Sequence, residues 1–205
     1  VSEGVENASD ADGHGTHVAG TVAGGNASGT AIGVAPEAHL YGVKVLDDTG
    51  SGTYAQVVAG MEHATDDPDV DVLQMSLGAE GQFDEFIEPV QNARDAGKLV
   101  VASAGNSGSG TSSSPGNVYD SFAVGAVDAD RDVAPFSGGE TLNTSADWDN
   151  ETLTADWPAE YVVPDASAPG VNVYSAEPSG GYVTESGTSM AAPHVSGVAA
   201  LMIAA

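Results

Sequence analysis

Two residues far apart in the chain could do nucleophilic chemistry together. Ser189 lies in Ser186-Gly187-Thr188-Ser189-Met190-Ala191-Ala192-Pro193-His194-Val195-Ser196-Gly197, where a glycine-containing turn runs into the apolar stretch Val198 to Ala205. This predicts Ser189 at the start of a helix, where unpaired N–H groups and the positive end of the dipole favour a developing negative charge. A serine hydroxyl stays protonated near neutral pH, so it becomes a nucleophile only beside a base. His14, between Gly13 and Gly15 and ahead of an apolar helical pattern, is the candidate base. Taken singly, Ser189 reads better as an N-terminal cap and His14 as a helix-capping histidine.

Read together, the two stretches say more. His14-Gly15-Thr16-His17-Val18-Ala19-Gly20 and Gly187-Thr188-Ser189-Met190-Ala191-Ala192-Pro193-His194, with Ser103-Ala104-Gly105-Asn106 between them, resemble the three blocks of the subtilisin-like serine proteases, in that family's order. The resemblance covers nearly the whole chain. It implies an acyl transfer in which Ser189 attacks a peptide carbonyl and His14 shuttles the proton. It further implies that Asn106 and the Ser189 N–H bind the oxyanion, and it implies no cofactor for catalysis.

The resemblance also implies that substrate lies as an extended strand between Gly50-Ser51-Gly52-Thr53-Tyr54 and Ser76-Leu77-Gly78. The S1 pocket would be walled by Ser76 to Gly78, by Ser103, Gly105 and Asn106, and by the loop near Ser113 to Gly116. Those walls are neutral and roomy, which points to an apolar P1 residue. A turn is the competing reading of Gly50 to Gly52. The family's aspartate sits upstream of the histidine in an Asp-Thr/Ser-Gly motif, and none precedes His14. Asp10 and Asp12 are too close in sequence to approach the His14 ring from that direction.

The chain is therefore expected to be a partial subtilase catalytic domain over 1–205. It would lack the Asp-bearing strand and the C-terminal end, and be inactive as it stands. Two classes of function remain: a secreted (extracellular) serine endopeptidase, and a non-catalytic peptide-binding pseudoprotease. Intact His14, Ser189 and Asn106 favour the first.

The elements that must position these residues follow from periodicity and punctuation. Val18, Val22 and small residues predict a helix from His14 to about Ala23. Ala38 to Leu46 alternates and is β-rich, predicting a strand. Thr53 caps a predicted helix of about Tyr54 to Ala64, with Val57, Val58 and Met61 inward. Asp71 to Leu77, Leu99 to Ala104 and Ser121 to Val127 read as strands. Phe86 to Ala96 reads as a helix with Pro89 tolerable near its first turn. Val171 to Ser175 and Tyr182 to Glu185 are short β segments. Strands alternating with helices predict an α/β fold, a parallel sheet flanked by helices in three α/β/α layers, with the crevice beyond the carboxyl ends of the strands.

Gly138 to Tyr161 reads as an acidic insertion, a solvated loop pinned by Trp148 and Trp157. Its alternating Asp147, Asp149 and Glu151 look like the start of a calcium loop, but Pro158 stands where an EF-hand needs Glu. It also holds the N-glycosylation patterns Asn143-Thr144-Ser145 and Asn150-Glu151-Thr152, for which chance is the simpler reading. The loop Gly24 to Gly33 is where the resemblance implies a structural Ca2+. It contains no carboxylate, and a bare turn competes.

The 205 residues carry 30 Asp+Glu against 4 Lys+Arg, a formal net charge of −26, with no cysteine. Disulfides, Cys-ligated zinc and a thiol nucleophile are excluded. Nucleic acid and anionic membrane are poor partners for such a charge, and no apolar run reaches membrane-span length. The expected partners are polypeptide substrates, with the chain acting as a monomer. So acidic a surface, with apolar segments still ordered, is expected of a halophilic, halolysin-like subtilase working in concentrated salt. An ordinary acidic secreted protein is the alternative. His17 and His194 are expected to pack within helices, while His39 and His63 have no neighbours that would make a metal site.

Overall fold

A computed structural model describes residues 9–149, 153 and 156–205. The pattern Asn150-Glu151-Thr152 therefore lies outside the described residues, as does most of the lead-in before His14. Helix α1 (His14–Ala23) comes first, then α2 (Tyr54–Asp66). Strands β1 (Val72–Met75) and β2 (Ala79–Glu80) follow, then a 3-10 turn (Asp84–Phe86) leading into α3 (Ile87–Asp95). Next come β3 (Leu99–Ser103), β4 (Ser113–Ser114) and β5 (Phe122–Val127). A further segment holds β6 (Glu140–Asn143), the short α4 (Thr144–Asp147) and β7 (Glu160–Val163). The last part is β8 (Ala166–Pro169), β9 (Val173–Ala176), β10 (Tyr182–Glu185) and α5 (Thr188–Ile203).

The central sheet is parallel, in the order β1-β3-β5-β8. Alternation sends Leu73, Met75, Val100 and Ala102 to one face, where they meet Val57 and Met61 of α2 and Ile87, Val90 and Ala93 of α3. Val101, Val124, Ala126 and Ala168 go to the other face, against Ala191 and Ala192 of α5. Both faces are thus covered, as parallel sheets require, and the expected α/β architecture is present. Ile87 and Val90 are fully buried, each contributing about 1.5–3 kcal/mol through removal from water. Pro89, in the first turn of α3, costs no helical hydrogen bond. The α2 start is a capping box: Thr53 accepts from Gln56 N–H while Gln56 accepts from Thr53 N–H.

Two expectations need correction, and one strand was not foreseen. Ala38 to Leu46 forms no strand. Its alternation is real, since Val43 and Val45 lie against α2 at Gly60, but no described strand pairs with it. Alternation specifies a buried face, whereas a strand also needs a ladder partner. The stretch read as an insertion is not only a loop: β6 and β7 pair antiparallel, Glu140 opposite Val163. Trp148 and Trp157 are buried, packed edge to face with ring centroids 5.7 Å apart, so they form part of the core on the α3 side. Finally β8, Ala-Ser-Ala-Pro, completes the sheet without any local strand signal. Its place is dictated by β5, with Val124 opposite Ala166.

Candidate active site

The candidate nucleophile stands where a tight junction leaves it. Gly187 N–H donates to Gly170 O (2.8 Å), and Thr188 then opens α5 fully buried. Ser189, the second residue of the helix, is half-buried and its Oγ has no hydrogen-bond partner among the described residues. Its carbonyl accepts from Ser76 Oγ at 2.5 Å, which ties the helix start to the end of β1.

Asn106 follows β3 after Gly105, whose φ of 107° lies in a region that only glycine adopts without strain. Asn106 Oδ1 accepts from Thr188 N–H at 2.8 Å, and Thr188 Oγ1 lies 3.0 Å from the same oxygen. An N–H group can face only the amide oxygen, so this contact fixes which way the amide points. Among the described residues nothing accepts from Nδ2, and Thr188, which holds the amide, is the chain neighbour of Ser189.

His14 begins α1, after Gly13 in the left-handed region (φ 96°). The helix start is held by Asp10. Its Oδ1 accepts from Gly13 N–H (2.9 Å), and its Oδ2 accepts from Thr16 N–H (2.7 Å) and Thr16 Oγ1 (2.6 Å). Burial alone would raise this carboxyl, but the Thr16 hydroxyl and the two N–H groups outweigh it and hold Asp10 below the usual carboxylate range. Asp10 is thus committed to the helix end, and Asp12 accepts from His14 N–H at 3.4 Å. Among the described residues nothing accepts from the His14 ring.

Packing carries the two helix starts to one region. Val18, one turn beyond His14, meets Met190, the neighbour of Ser189, and Val173 of β9. His17 is fully buried and its Nε2 donates to Val173 O at 3.0 Å; that tautomer leaves its buried Nδ1 without a partner. His194 Nδ1 donates to Met190 O at 2.9 Å, and burial pushes its pKa down. Both histidines pack within helices, as expected from the sequence.

Three of the segments expected to bind substrate are drawn together, while Gly50 to Gly52 stands apart from them against Asp12, Val45 and Leu46. A Cβ on Gly78 would stand 2.7 Å from Ser114 O, one on Gly105 2.5 Å from Ser113 Oγ, and one on Gly116 2.4 Å from Ser103 O. Ser76-Leu77-Gly78, Ser103 to Asn106 and Ser113 to Gly116 therefore form one wall. Ser51 and Gly52 are exposed, on a turn held by Asp47, which accepts from Thr49 and Ser51 N–H. Gly50 of that turn faces the Asp12 carboxylate beside His14. The hold of Thr188 on Asn106, the tie from Ser76 to the Ser189 carbonyl and the hold of Asp10 on the α1 start were not anticipated from sequence, although Ser76 itself was expected in the substrate wall.

Among the described residues no three His, Asp or Glu side chains converge as a metal site. The loop Gly24 to Gly33 turns on itself, with Gly29 N–H donating to Asn26 O and Ile32 N–H to Gly25 O. It offers no carboxylate, and its oxygen donors are backbone carbonyls and the side chains of Asn26, Ser28 and Thr30. No described helix is long and apolar enough to cross a membrane.

A serine at a helix start, a histidine at a neighbouring helix start and an asparagine just beyond a strand end are thus carried on a parallel α/β sheet flanked by helices. The chain belongs to the subtilase family, whose model matches residues 2–205. It is 42% identical over 199 residues to Subtilisin DY of Bacillus licheniformis, covering 95% of this chain and 64% of that protein. It is 42% identical over 194 residues to M-protease of Shouchella clausii, covering 94% of this chain and 45% of that protein. Among solved structures it resembles Sphericase, with a TM-score of 0.82 and 37% identity over 96% of this chain and 64% of that one. A cold adapted subtilisin-like serine proteinase gives a TM-score of 0.77 and 36% identity, over 98% of this chain and 65% of that one. The chain thus spans between about half and two thirds of the relatives it matches.

Proposed function

We propose that these residues form most of the catalytic domain of a secreted serine endopeptidase adapted to concentrated salt. The observation that carries the reading is the lock between Asn106 Oδ1 and Thr188 N–H, which leaves a preorganised Nδ2 donor beside Ser189. In this reading Ser189 Oγ attacks the scissile carbonyl of a polypeptide, and His14 accepts the proton. The oxyanion is held by Asn106 Nδ2 and the Ser189 N–H at the positive end of α5. His14 then protonates the leaving amine, and water resolves the acyl-enzyme by the same steps in reverse.

The acid that orients His14 belongs to a segment ahead of it, since Asp10 already accepts three hydrogen bonds at the helix end. Among the described residues Ala38 to Leu46 has no ladder partner and β1 pairs only with β3, which leaves room for a further strand between them. The S1 wall is neutral, favouring an apolar P1 side chain. The halophilic part of the reading rests on the net charge of −26.

The test compares this chain with a form extended upstream through an Asp-Ser/Thr-Gly motif, both in molar salt with a peptide substrate. Hydrolysis by the extended form alone, abolished by Ser189→Ala, is expected. Comparable Ser189-dependent hydrolysis by both would overturn the external acid. Peptide binding without cleavage by the extended form would favour the pseudoprotease instead.

A further inference from the structure

The β6–β7 hairpin reaches the proposed S1 wall through two polar side chains. Glu140 Oε1, at the start of β6, accepts from Ser112 Oγ (2.5 Å) and from Gln82 Nε2 (3.2 Å). Ser112 Oγ in turn accepts from Asn117 Nδ2 (2.9 Å), which also donates to Gly81 O (2.9 Å). Asn117 Oδ1 accepts from Ser114 Oγ (2.6 Å), and Ser114 Oγ accepts from Phe83 N–H (3.0 Å). Asn117 and Ser114 are fully buried and Ser112 nearly so.

At the far end of the same segment, Tyr161 of β7 donates its hydroxyl to Asn117 O (2.8 Å) and accepts from Trp148 Nε1 (2.8 Å). Burial pushes the Tyr161 phenol far above its usual range, so it remains a donor. The residues from Ser112 to Asn117 are therefore gripped at both ends. Between the grips lie Ser113, Ser114 and Gly116, which touch Gly105, Gly78 and Ser103.

We propose that Glu140 and Tyr161 are positioning residues that set the shape of the S1 wall, so that the hairpin tunes P1 selectivity without touching substrate. This rests on the protease reading above. Buried networks of this kind admit one arrangement when every member is satisfied, and several when one is removed. Releasing either grip leaves a buried donor or acceptor unpaired and lets the 113–116 segment shift against β2. A wall displaced by a fraction of an ångström discriminates side-chain size less well.

The experiment uses the complete chain carrying these residues, with two peptides differing only in Phe or Ala at P1. Glu140→Ala and Tyr161→Phe are each expected to lower the Phe-over-Ala ratio of kcat/KM about five- to tenfold, the scale of one lost buried hydrogen bond. The change should fall on KM, and Glu140→Gln, which keeps an acceptor, should recover most of the ratio. Ser112→Ala is a milder second variant should Glu140→Ala fold poorly. A merely stabilising hairpin would lower Tm and scale both peptides alike, and an unchanged ratio in all of these variants overturns the proposal.

Binding of the same peptides to Ser189→Ala forms separates the two readings. Absent hydrolysis by the wild-type chain with a binding ratio still sensitive to Glu140 would sink the protease reading and keep the brace. Hydrolysis with both ratios insensitive would sink the brace alone.

Discussion

Asn106 is a strut by its oxygen and, in the proposed function, a reagent by its nitrogen. Its oxygen accepts from Thr188 N–H and Oγ1, and the N–H contact fixes which way the amide points. Asn106→Ala is therefore expected to lower turnover about 10²–10³-fold, a magnitude measured for an oxyanion donor in subtilisin itself. KM should move far less, since the donor acts on charge that develops only in the transition state. Steady-state kinetics of the complete chain check this, and a loss confined to KM would count against the assigned role. Asp10 gives a prediction of the opposite kind, in stability. As a cap, its replacement in Asp10→Ala should cost about 0.5–2 kcal/mol. Its folded pKa is depressed, so the contribution is present above the unfolded carboxylate value and lost as pH falls through the lower folded value. Denaturant melts of both forms should differ at pH 6 and converge in strong acid.

Among the elements, the segment Ala38 to Leu46 is the most instructive. Its inward valines are placed by α2 rather than by a sheet neighbour, and Gly60 makes the approach possible. A Cβ there would stand 2.2 Å from Val45 Cγ1. Gly60→Ala should consequently destabilise by about 1–3 kcal/mol through overpacking, although the same change in a free helix would be favourable. Thermal melts read the sign directly, and a rise in Tm would show that the segment does not rest on α2. The β6–β7 hairpin carries a similar lesson. Asp120, nearly buried, meets Arg94 of α3 and accepts from Trp157 Nε1 at 2.9 Å, so the hairpin is fastened to the core through ionic and aromatic contacts together.

For the molecule as a whole, electrostatics dominates. The bases in ion pairs among the described residues are Lys44, with Asp48, and Arg94, with Asp120 and Asp156. Lys98 instead donates to the carbonyls of Asp67 and Val70. Thirty acids against four bases thus leave most carboxylates facing one another through solvent. The screening length shrinks from about 10 Å at 0.1 M salt to about 3 Å at 1 M, so self-repulsion should fade over that range and Tm should climb. Circular dichroism melts of the complete chain across a salt series would show it. An unchanged Tm from dilute buffer to molar salt would remove the case for a halophilic protein.

The sequence alone determined what depends on near neighbours. The helices starting at His14, Tyr54 and Thr188 follow from glycine punctuation, a Thr53–Gln56 box and small-residue periodicity, all resolved within a few positions. The strands β1, β3 and β5 were legible because β-branched and apolar runs suit a doubly covered sheet. Tertiary structure decided everything that needed a distant partner. It tied the Ser76 hydroxyl to the Ser189 carbonyl, joining the end of β1 to the start of α5. It left Ala38 to Leu46 without a ladder and made Ala166 to Pro169 a strand, because β5 offered a free edge while no described strand faced the former. It also turned an acidic stretch into a hairpin whose Glu140 and Tyr161 reach Ser112 and Asn117. Side-chain alternation records which face a residue turns inward; hydrogen-bond partners tens of residues away are set only when the sheet edges that remain open are known.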